Sequence, residues 1–163
     1  MKNIIISDVT LRDGNHAVKH QINKDVINLY SKFAEKNKID ILEVGHGNGL
    51  GASSLTIGRS KVSNLESIKI AKKNLKKTKL SVHSIPGFST LDDVQQAIDN
   101  GADIIRVGCN SSDIDIIERQ FLYCKKNKVE SWCVFMMFHQ IYSNNKYISI
   151  VKNLKKIGVK TFI

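Results

Sequence analysis

A chain of 163 residues, 42% hydrophobic and 25% charged, can bury one core and has the make-up of a soluble globular domain. The net charge of +10 raises nucleic-acid binding, but the lysines sit on polar faces of helical patterns with no aromatic or arginine-rich interleaving, which argues against that partner. No apolar run nears the roughly 18 residues of a membrane span, and the N-terminus is too short for a signal-peptide core, so a cytoplasmic, non-membrane protein is expected. Cys109, Cys124 and Cys133 form no C-x-x-C pair and read as buried free thiols.

Strand-like and helix-like segments alternate along the chain. A first strand is predicted over residues 3–9. Asn23 then caps a helix to about 37 with Val26, Ile27, Tyr30, Phe33 and Ala34 on one face. A second strand covers 39–44, and a helix follows over 63–77, its lysines opposite Ile68, Ala71 and Leu75. Strand three is 80–85. Thr90 with Asp93 makes a capping box for a short helix that Gly101 stops. Strand four is 103–107, a helix spans 112–127, and strand five is 131–137. A last helix over 144–157, with Ile150, Val151 and Leu154 opposite its lysines, is closed by Gly158 before strand six at 159–163. The glycine stops at 101 and 158 are a local repeat: each takes a helix straight into a strand, as parallel strands with helical crossovers require.

This grammar fits an open doubly wound sheet or a closed barrel. A dinucleotide fold would carry G-x-G-x-x-G after the first strand, where this chain has Thr10-Leu11-Arg12-Asp13-Gly14. Four of five histidines (His16, His46, His83, His139) fall in or just after the C-terminal ends of strands, where a barrel keeps its chemistry. The predicted fold class is therefore α/β, a partial (β/α)8 TIM barrel of six strands and five helices, forming one incomplete domain over residues 1–163. A complete barrel has eight of each and ~250 residues. The expectation is a fragment or truncated gene product, or a chain that another one completes.

The stretch from Asp8 to His16 concentrates charge at one strand end. Arg12 presents a rigid fork of donors for a carboxylate or enolate oxygen. Asp13 is a hard oxygen ligand suited to Mg²⁺ or Mn²⁺, and His16 can exchange protons near neutral pH. The glycines at 45, 47, 49 and 51 form a loop over the same end.

The run D-V-T-L-R-D-G-N-H resembles the signature of the metal-dependent aldolase/lyase barrel superfamily, which includes HMG-CoA lyase-like enzymes and isopropylmalate synthases. It is most similar to the 4-hydroxy-2-oxovalerate aldolases. E-V-G-H-G-N-G-L-G-A-S-S from Glu43, Pro86-Gly87, I-R-V from Ile105 and F-M-M-F-H from Phe135 extend the likeness. The resemblance implies a lyase that cleaves a 4-hydroxy-2-oxoacid to pyruvate and an aldehyde. Arg12 would bind the 2-oxo acid and stabilise the enolate. Asp13 would hold a divalent metal, Mn²⁺ or Mg²⁺, beside the substrate, and His16 would take the 4-hydroxyl proton. Glu43 would orient Arg12, and His46 would stand behind the residues that touch substrate; His83 and His139 read as structural. An aldehyde dehydrogenase partner or a homo-oligomer is implied in the same way.

Departures accompany the likeness. Asn48 stands where these aldolases usually carry aspartate. The family's two histidine metal ligands on strand seven, its serine after strand six and its later tyrosine acid have no counterpart within the 163 residues, so the chain by itself is expected to be inactive. Two alternative readings are an acyl-transfer synthase of the isopropylmalate synthase type and a non-catalytic half-barrel subunit.

Overall fold

The computed structural model describes residues 4–110, 115–137, 139 and 145–163, the last segment without the side chains of 145–147. Among them, six parallel strands lie side by side in chain order: β1 (Ser7–Asp8), β2 (Ile41–Glu43), β3 (Lys79–Ser84), β4 (Ile104–Asn110), β5 (Glu130–Met136) and β6 (Thr161–Phe162). The crossovers carry helices α1 (Lys24–Lys36), α2 (Asn64–Asn74), α3 (Leu91–Asp99), α4 (Glu118–Lys126) and α5 (Asn145–Ile157). The sheet is a half-barrel, as the alternation of elements predicts.

Local chemistry explains the boundaries. The Asn23 side chain accepts from Val26 N–H and starts α1; Ser63 does the same for α2 through Glu66 N–H. Thr90 and Asp93 form both halves of the predicted capping box. Glu35 on α1 accepts from the backbone N–H groups of Lys76, Lys77 and Thr78, fixing the approach to β3.

Alternate residues of each strand divide between two faces. Leu42, Leu80, Val82, Ile105, Val107 and Cys133 pack under the helices with Ile27, Ile68, Val94, Phe121 and Leu154. The other face carries a small apolar cluster, Ile41, Ile104 and Trp132, and above it Glu43, Ser81, His83 and Arg106. All three cysteines are buried, and none is in a disulfide. No helix among the described residues is long and apolar enough to cross a membrane.

Three expectations need correction. The first strand pairs only over Ser7–Asp8; Ile4, Ile5 and Ile6 are exposed, since β1 is an edge and α1 does not reach over them, and Asn3 lies outside the described residues. Val26 and Phe33 of the predicted apolar face are about half exposed. The face α1 buries is Ile27, Ser31 and Ala34, whose two small members let it approach closely; Ser31 Oγ donates to Ile27 O and so is buried without an unpaired hydroxyl. The fourth helix begins at Glu118 rather than 112, after a helical turn at 115–117, with residues 111–114 outside the described set.

Candidate active site

The chain leaves β1 through a 3-10 turn, Asp13–Asn15. Asn15 pins it: the buried side-chain amide donates to Gly45 O, and its oxygen accepts from Ile22 N–H. Arg12, at the entrance of this turn, is held on three sides. Its Nε donates to Glu43 Oε1 at 2.6 Å, and its Nη1 donates to Asp13 Oδ1 at 2.7 Å and to Gly47 O at 3.1 Å.

Glu43 is fully buried and bridges two guanidinium groups, because its Oε2 accepts from Arg106 Nη1 at 2.7 Å and from Ser81 Oγ at 3.2 Å. Burial opposes its ionisation, but Arg106 and then Arg12 outweigh that cost and hold its pKa below the ordinary carboxylate value. Asp8, at the end of β1, is treated alike. Partial burial works against its charge, and the Thr10 N–H and the Tyr30 hydroxyl, donating at 2.8 and 2.7 Å, bring its pKa down. His83, beside Arg106 in the β3–β4 register, is pushed by burial down to about 4 and stays neutral. Two buried nitrogens on this face, Arg106 Nε and His83 Nδ1, have no hydrogen-bond partner among the described residues.

The loop after β2 brings the imidazoles together. His16 is exposed, and its ring lies over Gly47: a Cβ there would be 2.4 Å from His16 Nε2. His46 is fully buried; its Nδ1 accepts from Asn48 N–H, so Nε2 carries the proton and donates to Gly58 O at 3.0 Å. The His20 ring stacks on His46 with centroids 3.7 Å apart and meets His16 edge-on at 5.0 Å. Burial, followed by the neighbouring imidazoles, lowers the pKa of His20; burial does the same for His46 against the opposing Gly58 bond.

Arg12 and His16 thus meet at Gly47 at one strand end, with Asp13 and Glu43 both paired to Arg12. His46 does not face this space; it lies beneath the loop. His139 is exposed at the far side of the sheet, after β5. Two residues escaped the sequence reading. Arg106 entered only as the middle of I-R-V, although an arginine inside an apolar strand already signals a buried partner. His20 was assigned no role, although its spacing of four from His16 would have suggested proximity.

The implied divalent metal finds little here. Among the described residues no group of three or more histidine, cysteine, aspartate or glutamate side chains could hold an ion. Asp13 is exposed and already accepts from Arg12, so it offers one ligand where Mg²⁺ or Mn²⁺ takes about six.

Comparison with known proteins bears on this geometry. The family model HMGL-like matches residues 3–162. The chain is 43% identical over 159 residues to the 4-hydroxy-2-oxovalerate aldolase 2 of Salinispora arenicola, covering 97% of this chain and 45% of that protein. It is 43% identical over 137 residues to the 4-hydroxy-2-oxovalerate aldolase of Spirochaeta aurantia, covering 83% and 40%. It therefore spans less than half the length of these relatives. Among solved structures, the N-terminal domain of a putative aldolase from Bacteroides vulgatus superposes with a TM-score of 0.70 at 19% identity, over 98% of this chain and 62% of that one. The carboxyl transferase domain of Rhizobium etli pyruvate carboxylase with pyruvate and biocytin superposes with 0.76 at 14% identity, over 99% and 30%. These two likenesses are of fold.

Proposed function

This chain belongs to the HMGL-like family, and on that premise we propose that it is the β1–β6 part of a lyase that cleaves a 4-hydroxy-2-oxoacid to pyruvate and an aldehyde. The observation that carries the reading is the convergence of Arg12 and His16 on Gly47 at the C-terminal end of β1, with Asp13 paired to Arg12.

The chemistry assigns each group a task. His16 accepts the proton of the substrate's 4-hydroxyl. The oxygen electrons then form the aldehyde carbonyl as the C3–C4 bond breaks, and that bond's pair moves to the 2-oxo oxygen as an enolate. Arg12 meets the developing charge with fixed donors, whose orientation is set by Glu43 rather than by water. Protonation at C3 completes pyruvate. A divalent ion, Mn²⁺ or Mg²⁺, would draw on Asp13 and on further ligands that these 163 residues do not supply, and would add positive charge beside the enolate oxygen. The substrate is a small 2-oxoacid; docking to an aldehyde dehydrogenase and self-association belong to the same proposal.

The test is pyruvate release from 4-hydroxy-2-oxovalerate by the intact protein with manganese, compared with Arg12→Ala and His16→Ala. Each variant is expected to lose about 10²-fold or more in turnover, the scale of a lost oxyanion donor or general base. Unchanged turnover in both would overturn the assignment.

A further inference from the structure

We propose that His20, locked by its stack on His46, is a positioning residue that holds the ring of His16 over Gly47 and beside Arg12. What His16 does there rests on the reading above; where it stands does not.

The anchor is His46. Its ring is tied at both nitrogens, to Asn48 N–H and Gly58 O, and its backbone N–H donates to Asn64 Oδ1 at 2.8 Å. A fully buried ring tied at both nitrogens on an anchored backbone is a rigid plate. His20 lies on that plate at 3.7 Å, with an interplanar angle of 16°. Its backbone takes φ 61, the left-handed region that a non-glycine residue adopts only at a cost, and is held there by donation to Asn15 O and acceptance from Lys61 N–H. Gly58 leaves room for the ring: a Cβ there would stand 3.0 Å from His20 Cδ2. Among the described residues the only hydrogen bond to the His20 ring is a long one, from Gly47 N–H to Nδ1 at 3.4 Å. A buried polar ring with so little hydrogen bonding is kept by what it touches, and its free edge touches His16.

His16 needs such a wall. It is exposed, and an unsupported exposed side chain samples several rotamers. Gly47 supplies a floor beneath its ring and His20 a wall at 69° to it. The same Gly47 accepts from Arg12, so floor and wall set His16 relative to the guanidinium. His20 and His46 are both held below the ordinary histidine range, so neither adds a positive charge beside His16 near neutral pH.

The test follows the His16 ring by NMR in the intact, isotope-labelled chain, its signals assigned by their loss in His16→Ala. His20→Phe keeps a flat wall without the nitrogens; His20→Gln keeps a polar acceptor without the ring; His20→Ala removes both. The positioning role predicts dispersed, ring-current-shifted His16 signals in the native chain and in His20→Phe, and collapse towards free-imidazole positions in His20→Gln and His20→Ala. Signals unmoved in His20→Gln, or retained there and lost in His20→Phe, would overturn it. Should His20→Ala fail to fold, the Gln and Phe pair still decides. The spectra need no turnover, so a protein that cleaves no 2-oxoacid would sink the aldolase reading alone.

Discussion

Where α1, α3, α4 and α5 hand the chain on to β2, β4, β5 and β6, one joint is used four times, whereas the exits from β1, β2 and β3 have nothing in common. At each entry a residue of positive φ (Lys38, Gly101, Lys128, Gly158) reverses the chain, and the next N–H returns to the helix. The bonds are Ile39 to Ala34 O, Ala102 to Ala97 O, Val129 to Cys124 O and Val159 to Leu154 O. Side chains there add ties to the backbone, Thr78 Oγ1 to Ile39 O and Leu80 N–H to Asp103, and partly exposed pairs such as Lys72–Asp103 and Lys79–Glu130, each pair worth at most about 1 kcal/mol. At the exits the backbone is irregular and side chains carry the structure: a 3-10 turn under Arg12, a glycine loop over three histidines, and a Ser84–Ser89–Gln120 network. One end of the sheet is built for stability and the other carries the proposed chemistry, the division that complete barrels use.

The contrast is tested hardest at Glu43. Glu43→Ala leaves Arg12 and Arg106 without their shared counter-ion in a buried setting, and should cost about 3–5 kcal/mol of folding stability by chemical denaturation. A loss under 1 kcal/mol would mean that water reaches the two guanidinium groups. The charged layer would then be a solvated surface and not part of the fold.

His83 gives the next largest effect. Its ordinary value is 6.5 and its folded value about 4, so between those limits the unfolded chain binds a proton that the folded chain refuses. Stability is therefore full above pH 6.5 and falls as the pH drops, by about 3 kcal/mol at pH 4. His20 and His46 share the upper part of this limb, and Glu43 and Asp8, with depressed values, begin to lose their contribution only below the ordinary carboxylate pKa. The difference between the native chain and His83→Gln isolates the His83 share. A His83→Gln curve parallel to the native one would remove His83 from the account.

The entry end was the more legible of the two, and only in part. Gly101 and Gly158 mark themselves, because glycine at the end of an apolar period has few other uses. Lys38 and Lys128 do the same work and look like ordinary surface lysines; what selects them is the tertiary demand for a reversal, which no local propensity records. Capping side chains at Asn23 and Thr90 placed the starts of α1 and α3 to within a residue. At the exit end, motif and residue type drew Arg12, Asp13 and His16 together, and the spacing of Glu43 at the end of a strand matched its place. Arg106 and His20 stayed hidden because their roles exist only through neighbours 63 and 26 residues distant in sequence, Glu43 and His46.

Gly47→Ala separates site from scaffold. The atoms nearest the added methyl all belong to the ring of the exposed His16 side chain, and the loop φ there is not one that needs glycine, so stability should stay within about 0.5 kcal/mol. The displaced imidazole should nevertheless lower pyruvate release by about 10²-fold in the intact protein, since about 1 Å of misplacement has that effect. Full activity with His16 shifted would show that Gly47 is no floor.

The smallest expected effect lies at the entry end and runs in the opposite direction. Lys128 sits at φ 55, where a Cβ costs about 1–2 kcal/mol, and glycine there would recover that strain while losing about 0.5–1 kcal/mol to the greater freedom of the unfolded chain. Lys128→Gly should gain about 0.5–1 kcal/mol in denaturation, and Lys38→Gly, at φ 58, about the same. The reverse change is not symmetric: Gly101 stands at φ 100, and its Cβ would lie 2.7 Å from Lys72 Cγ, so Gly101→Ala should destabilise. None of the three should move the His16 ring signals, because the joints touch the site only through the rigid length of a strand. A lysine-to-glycine change that altered those signals would couple the two ends and break the division between them.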